Sequence, residues 1–206
     1  MSMVRPLEMS YKVKDHYFHK AKAQNYAARS VFKLEEIDQK YRLLKSGHHV
    51  LDLGAAPGSW SQYASKKIGS LGKVLAIDLK PVSLNLPNVV FLEGDVNDLG
   101  LDAILSQYHF NPKFDHVLSD MAPKTTGIRF ADQAASLELC ELALGIAVQY
   151  LKPGGNFVCK FFQSQDFQTF RQEVKKYFSK NYVCVPKSTR KESKEVFFVA
   201  LDFLGH

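Results

Sequence analysis

Glycines and carboxylates follow three apolar segments of the sequence in a pattern that suits a nucleoside ligand. Residues 51–60 read LDLGAAPGSW and run into a helical pattern. Gly54 and Gly58 permit a tight turn and a close approach of the backbone to a ligand, and the helix N-terminus that follows offers free N–H groups. Asp78 comes 24 residues after Gly54, where α/β nucleoside sites place an acid that accepts hydrogen bonds from both ribose hydroxyls. Asp95 follows the third segment, and its carboxylate could accept a hydrogen bond from an adenine amine.

Two common phosphate-binding loops do not fit the same residues. The nicotinamide fingerprint G-x-G-x-x-G needs glycines at positions 56 and 59, where this chain has Ala56 and Ser59. A Walker loop needs G-K-[ST], which does not follow Gly58. A pyrophosphate-binding Rossmann domain is therefore disfavoured.

Two lysines and two acids stand where a parallel sheet would bring them to one rim. Asp120 and Lys160 end two of the apolar segments, and Glu195 begins the last one. An antiparallel strand starts at the edge where its parallel neighbours finish, so Glu195 is expected beside the other two. Lys33 lies at the border of the apolar stripe of a helical pattern, where its long side chain can reach into a cleft. Such groups can move a proton and balance nearby positive charge.

The elements that must position these residues alternate between strand and helix. Strands are predicted at 48–53, 73–78, 89–92, 114–120, 155–160, 182–185 and 195–203. Helices are predicted at 27–44, 60–68, 99–107, 131–151 and 166–178. The alternation predicts an α/β fold with a seven-stranded, mainly parallel sheet and helices on both faces. The short connection 186–194 makes the last two strands a C-terminal antiparallel hairpin, and ligands should bind beyond the carboxyl ends of the strands.

The loop and its acids resemble those of the S-adenosylmethionine-dependent methyltransferases, in which a D-x-G-x-x-x-G loop follows the first strand. The resemblance implies a Rossmann-like domain with S-adenosyl-L-methionine as cofactor and S-adenosyl-L-homocysteine as product. It also implies that Gly54 shapes the loop, that Gly58 and Trp60 line the methionine side, that Asp78 binds the ribose and that Asp95 contacts the adenine. The alternative for both acids is ordinary capping or turn chemistry, and for Trp60 it is core packing.

In chain order, Lys33, Asp120, Lys160 and Glu195 match the K-D-K-E tetrad of ribose 2′-O-methyltransferases. They stand in the phrases SVFKL, LSDMAP, CKFF and SKEVFFVA. With the 51–60 loop and the chain size, these phrases resemble the RrmJ/FtsJ family of large-subunit ribosomal RNA ribose 2′-O-methyltransferases over nearly the whole chain. The resemblance implies that Lys160 is the general base on a ribose 2′-hydroxyl, with a uridine expected. Asp120 would lie beside Lys160 and the methyl end of the cofactor, while Lys33 and Glu195 would position the nucleotide. A steering role for Lys160, with the proton leaving later to water, stays open.

Three other functions fit the same residues less well. Enzymes that methylate a base nitrogen tend to carry [DN]-P-P-[YFW] after the fourth strand, where this chain reads DMAPK. Small-molecule O-methyltransferases usually depend on a metal or a histidine, but the histidines are scattered, and His48 and His49 are expected to be structural. A catalytically silent RNA-binding assembly factor would usually have lost part of the loop or the tetrad. Ribose methylation of tRNA or of a cap stays open, although the compact chain favours the ribosomal substrate.

The charge distribution favours a polyanionic partner. The chain of 206 residues has a formal net charge of +6. Residues 1–33 hold seven Lys and Arg against two acids, residues 171–195 hold eight against three, and residues 34–170 hold twelve against fifteen. A basic surface around a slightly acidic centre suits RNA, with 124–129 and 187–194 as the segments expected to face it. Solvation of exposed helices by lysines is the plainer interpretation.

Length and composition predict one domain over 1–206, in which 1–45 form a basic helical segment packed on the rest. No membrane span and no secretory signal are expected, which makes the cytoplasm the default location. The three cysteines lie far apart without C-x-x-C, so neither a disulfide framework nor a metal site is expected. A monomer that binds ribosomal RNA within the large subunit is the expected form.

Overall fold

A computed structural model describes residues 16–190 and 193–205, in which strands and helices alternate as predicted. The strands are β1 (His49–Leu53), β2 (Lys73–Asp78), β3 (Val89–Glu93), β4 (Phe114–Ser119), β5 (Leu151–Phe162), β6 (Phe178–Cys184) and β7 (Glu195–Phe203). The helices are α1 (His16–Ala23), α2 (Val31–Tyr41), α3 (Ser59–Ile68), α4 (Leu101–Gln107), α5 (Arg129–Tyr150) and α6 (Phe167–Tyr177).

The strands form one seven-stranded sheet in the order β3-β2-β1-β4-β5-β7-β6. Neighbours from β3 to β5 are parallel, whereas β7 is antiparallel to both β5 and β6. The predicted fold class is therefore confirmed, including the antiparallel hairpin at one side. The last strand of the chain lies inside the sheet, between β5 and β6, and does not form its edge.

Two apolar layers cover the two faces of the sheet. On β1, Leu51 and Leu53 face the layer that contains α4, α5 and α6, and Val50 faces the layer that contains α1, α2 and α3. This is the alternation that a strand buried on both faces requires. On β5, Val158 and Lys160 lie on the face of the sheet that is covered by α1, α2 and α3, so the lysine side chain lies on the side of α2 and α3.

The N-terminal part differs from the single helix predicted over 27–44. The structure has the separate helix α1 before it, and α2 spans only Val31–Tyr41. Asn25 and Arg42 both have positive φ angles, 57° and 54°, which a continuous right-handed helix does not allow. The Arg42 N–H closes the last turn of α2 on the Asp38 carbonyl. Residues 1–15 of the predicted basic segment lie outside the described residues, and its extent stays a prediction.

Strand β5 is longer than predicted because it contains an irregularity. Phe114 pairs with Leu151 and His116 pairs with Asn156, so the intervening residues of β5 bulge away from β4. The Pro153-Gly154 pair that ends the α5 pattern lies in this bulge, and Gly154 has a φ of 79°. The helix stop was predicted, but the early return to the sheet was not.

No helix within residues 16–190 and 193–205 is long and apolar enough to cross a membrane. Cys140, Cys159 and Cys184 are buried free thiols.

Candidate active site

The carboxyl ends of the parallel strands and the start of β7 form one rim. Lys160 pairs with Phe197 and Phe162 pairs with Glu195 across β5 and β7, which puts all four side chains on the same face of the sheet. Asp120 follows β4 directly, and its backbone N–H donates to the Leu53 carbonyl at the end of β1, at 3.1 Å. The strand ends therefore bring the predicted residues to one side of the molecule.

Lys160 and Asp120 form an ion pair at this rim. The distance from Lys160 Nζ to Asp120 Oδ1 is 3.1 Å, and Nζ also donates to the Asp120 backbone carbonyl at 2.6 Å. The side chains are 8% and 18% exposed, so the pair is shielded but not sealed from solvent. Two contacts from one ammonium to one residue fix the direction of the lysine chain.

Lys33 and Glu195 form a second ion pair beside the first. Lys33 Nζ contacts Glu195 Oε1, and the side chains are 14% and 11% exposed. The same Nζ lies 5.7 Å from the centroid of the Phe197 ring, which faces the α2 side with Lys160. An open cleft of about 500 Å³ adjoins the pair, and it is lined by Arg29, Ser30, Lys33, Arg190, Ser193 and Glu195.

The loop between β1 and α3 depends on its two glycines. Gly54 and Gly58 have φ angles of 74° and 103°, in the region that side chains disfavour. A Cβ on Gly54 would lie 2.8 Å from the Met121 backbone nitrogen, and one on Gly58 would overlap the Leu84 side chain. The loop therefore packs closely against the segment that follows Asp120.

Asp78 ends β2, and its carboxylate already organises this loop. Oδ2 accepts from the Ala56 N–H at 2.9 Å, and Oδ1 accepts from the Lys80 N–H at 2.8 Å. Each carboxylate oxygen has a second lone-pair direction, so ribose hydroxyls can add to these bonds. The capping alternative and the ligand role are therefore compatible in this residue.

Asp95 lies in an exposed turn after β3. Its Oδ1 accepts from the backbone and side-chain N–H groups of Asn97, at 2.9 and 3.0 Å. This is the turn chemistry that the sequence offered as an alternative. The turn is tied to β2 through the Gly94 N–H, which donates to the Asp78 carbonyl. The adenine contact stays a prediction.

Trp60 is 2% exposed and belongs to the core beneath the rim. Its Nε1–H donates to the Ser30 carbonyl at 2.9 Å, and its ring centroid lies 5.8 Å from that of Phe197. The residue thus joins α3 to the start of α2 and to β7. Its contact with a ligand stays a prediction.

Asp52 is a residue of this site that was not among those predicted from the sequence. It is fully buried on β1, and its Oδ2 accepts from the Ser61 hydroxyl at 2.5 Å, while Oδ1 has no hydrogen-bond partner among the residues that the structure describes. Burial raises its pKa to about 7, the Ser61 bond opposes the shift, and the charges of Asp120 and Asp78 add to it. The sequence does contain a signal for Asp52. It is an acid within a buried apolar strand, two residues before Gly54, and a charged group at such a position is a candidate for function.

These groups fit a nucleoside amino acid with positive charge. The Asp78 carboxylate keeps acceptor capacity that suits hydroxyl groups, and Gly54 and Gly58 keep the turn free of side chains that would collide with Met121 and Leu84. A cation near Asp52 would provide a partner for the unpaired Oδ1 and would lower the raised pKa of the carboxyl. The residues therefore match the donors and acceptors that S-adenosylmethionine requires.

A separate polar cluster lies at the opposite end of the sheet. His48 Nδ1 and His116 Nε2 are 2.7 Å apart, and Asp115 accepts from the His49 backbone N–H at 2.7 Å. Burial, helped by the charge of His48, lowers the pKa of His116 to about 3. The histidines are held by hydrogen bonds that join β1 to β4, which agrees with the structural role expected of His48 and His49.

Comparison with known proteins gives related sequences over most of the chain. A family model described as FtsJ-like methyltransferase matches residues 26–203. The curated "Ribosomal RNA large subunit methyltransferase E" of Bdellovibrio bacteriovorus is 60% identical over 193 residues, which cover 94% of this chain and 98% of the relative. The protein of the same name from Syntrophobacter fumaroxidans is 51% identical over 194 residues, with 94% and 98% covered.

Solved structures agree with the overall fold. A structure named as a ribosomal RNA methyltransferase from Plasmodium falciparum superposes with a TM-score of 0.78 at 30% identity, covering 88% of this chain and 100% of that one. Fibrillarin from Aeropyrum pernix, solved with natively bound S-adenosyl-L-methionine, gives a TM-score of 0.58 at 15% identity, covering 84% and 76%. The second similarity is one of fold.

Proposed function

The chain belongs to the FtsJ-like methyltransferases, and from that premise we propose that it methylates a ribose 2′-hydroxyl, with a uridine expected, in large-subunit ribosomal RNA. The observation that carries the proposal is the pair of lysine–acid contacts, Lys160 with Asp120 and Lys33 with Glu195, beside the glycine loop. The curated relatives, named as methyltransferases of the large-subunit RNA, support the same substrate.

The chain would hold its cofactor through the loop and three acids. The Gly54–Gly58 turn receives the methionine part, Asp78 binds the ribose, and the ionised Asp52 attracts the positive charge. Asp95 contacts the adenine, and Trp60 supports the loop from beneath. When bound, S-adenosylmethionine supplies a methyl group on a sulfonium, and S-adenosylhomocysteine is the product.

Lys160 removes the hydroxyl proton in the proposed step. Its Nζ lies at the rim beside Asp120, where it would be within reach of a ribose hydroxyl brought there for methyl transfer. In this role the Lys160 amine would take the proton of the 2′-hydroxyl as that oxygen gains the methyl group. The bond between the methyl group and sulfur would break, which leaves neutral S-adenosylhomocysteine. Asp120 holds the lysine in this direction and faces the methyl end of the cofactor.

Lys33 and Glu195 position the nucleotide. Their ion pair borders the cleft that also contains Arg29 and Arg190, and two guanidinium groups suit a phosphate on each side of the target ribose. The basic ends of the sequence extend this surface, so RNA binding should weaken steeply with salt. We place this activity in the cytoplasm, on a monomer that acts on the assembled subunit.

Mapping the modified nucleotide tests the proposal. Purified large subunits, protein-free ribosomal RNA and tRNA are each incubated with the protein and labelled S-adenosylmethionine at one salt concentration. The proposal expects label in the subunit, at a linkage that resists alkali because the attacking hydroxyl is methylated, with Lys160→Ala as the inactive control. Label on a base, or a preference for tRNA, would overturn it.

A further inference from the structure

A second cleft opens near the ends of β5 and β7, on the face of the sheet opposite α2. It has a volume of about 550 Å³ and lies between the start of α5 and the loop that joins β5 to α6. Its lining is rich in amides and aromatic rings, and it includes Arg129, Phe130, Gln133, Gln163, Phe167 and Gln168. Neither the family tetrad nor the cofactor residues belong to it.

The cleft adjoins the strand ends that carry the catalytic rim. Gln163 stands three residues beyond Lys160, and its backbone N–H donates to the Lys194 carbonyl at 3.0 Å. Lys194 precedes Glu195, whose side chain faces the other cleft with Lys33. The two clefts therefore lie on neighbouring parts of the strand ends that carry Lys160 and Glu195.

Phe130 is the exposed wall of this second cleft. Its side chain is 71% exposed, and the neighbouring Ile128 is 66% exposed, although both stand at the start of the long helix α5. The loop before them is held in place, because Asp132 accepts from the Thr126 backbone N–H at 2.7 Å and from the Thr126 hydroxyl at 2.9 Å. A large apolar ring presented on an anchored loop is a feature of binding surfaces.

The opposite wall is rigid. Phe167 stacks on Phe198 of β7, with ring centroids 4.9 Å apart, and contacts Phe161 edge-on. The Gln133 side chain donates to the Gln163 carbonyl, which joins α5 to the end of β5. The cleft is thus formed before any ligand arrives.

The polarity of the cleft favours an anionic ligand such as RNA. None of the described residues that line it is acidic, and its charged member is Arg129. The neighbouring groove between α5 and α6, by contrast, is lined by Glu141, Asp166 and Glu173, which would repel a phosphate. Amide side chains both donate and accept, which matches the edges of nucleobases.

We infer that this cleft binds an unpaired nucleotide next to the target ribose, with its base stacked on Phe130 and its phosphate near Arg129. The inference rests on the proposed RNA substrate and names the residues that read its local shape. Stacking of bases on aromatic rings, with an arginine nearby, is the usual way in which proteins hold single-stranded RNA. The target nucleotide would thus be bound between the Lys33–Glu195 cleft and this one.

Substitutions at Phe130 test the inference through binding and kinetics together. Phe130→Ala should raise the KM for the large subunit about 5- to 100-fold, with kcat and cofactor affinity unchanged. Phe130→Trp should restore the KM, whereas Phe130→Leu should not, because leucine has no π-face. Leu71→Ala serves as the matched control. It removes an apolar side chain that is 79% exposed and lies just before β2, at the end of the sheet opposite the rim.

A fluorescent oligonucleotide separates this inference from the function it rests on. The fluorescence of a short single-stranded RNA with one 2-aminopurine should be quenched by the wild type and by Phe130→Trp. Phe130→Ala should bind this RNA at least about 5-fold more weakly than the wild type does. A wild type that methylates no ribose would refute the proposed function. Normal methylation with equal KM in Phe130→Ala and wild type, or rescue by leucine as good as by tryptophan, would overturn the nucleotide cleft alone.

Discussion

Replacing Asp52 by asparagine should stabilise the protein above pH 7 and weaken its binding of the cofactor. Burial raises the pKa of the Asp52 carboxyl from 3.8 to about 7, although the hydrogen bond from Ser61 opposes the shift. The folded state therefore keeps a proton that the unfolded chain releases. The stability from this group is fully present below pH 3.8 and is lost as the pH rises from there through about 7.

The size of the effect follows from the shift. One pKa unit corresponds to about 1.4 kcal/mol, so the carboxyl destabilises the wild type by about 4 kcal/mol once the pH exceeds 7. About 3 kcal/mol of this loss develops between pH 5 and pH 8. Asparagine does not titrate, so the stability of Asp52→Asn relative to the wild type should rise by about 3 kcal/mol over that interval. Contributions that do not depend on pH, such as an altered bond to Ser61, cancel in the comparison.

Urea unfolding of both proteins at pH 5 and pH 8, without cofactor, measures this difference. Calorimetry then measures the affinity for S-adenosylmethionine, which should increase with pH in the wild type and stay flat and lower in Asp52→Asn. A stability difference that is the same at both pH values would refute the raised pKa. Unchanged affinity at pH 8 would place Asp52 outside the cofactor site.

Substitutions of Lys160, Asp78 and His116 provide three further tests. Lys160→Ala should lower methyl transfer about 100-fold or more with cofactor affinity nearly intact, and Lys160→Arg, which keeps the charge, would retain most activity only if the base assignment were wrong. Asp78→Ala should weaken cofactor binding by about 1–3 kcal/mol, because it removes a charged acceptor and frees the Ala56 N–H; calorimetry that gives equal Kd values would remove Asp78 from the site. Burial lowers the pKa of His116 to about 3, so the stability it contributes is present above pH 6.5 and is lost as the pH falls below that value, by about 2 kcal/mol at pH 5. Urea unfolding of the wild type and His116→Asn at pH 7 and pH 5 checks this, since an equal loss in the variant would contradict it.

The sheet and the rim could be predicted because both follow from local pattern and from one topological rule. Buried parallel strands are continuous apolar runs, and the residues that follow them meet at one edge. This was enough to bring Lys160 and Asp120 together, and the short connection before β7 added Glu195. Lys33 reached the same rim because its position on the border of an apolar stripe allows a long side chain to turn inward.

The remainder depended on contacts between residues distant in sequence. Helix α1 is short and weakly amphipathic, and its Ala21 is buried only by tertiary packing. The bonds from Asp78 to the glycine loop and the orphaned oxygen of Asp52 depend on side-chain geometry that no spacing reveals. The burial of Trp60 depends on Ser30 and Phe197, which lie on two other elements.

The position of β7 inside the sheet has a consequence for the order of synthesis. Strand β6 is hydrogen-bonded within the sheet only to β7, and β7 is made after it. While the ribosome is still translating residues 195–203, β5 therefore has an open edge and β6 has no strand to join. Glu195 is the last of the four tetrad residues to be synthesised. The nascent chain therefore completes its seven-stranded sheet and its catalytic rim in the same late step.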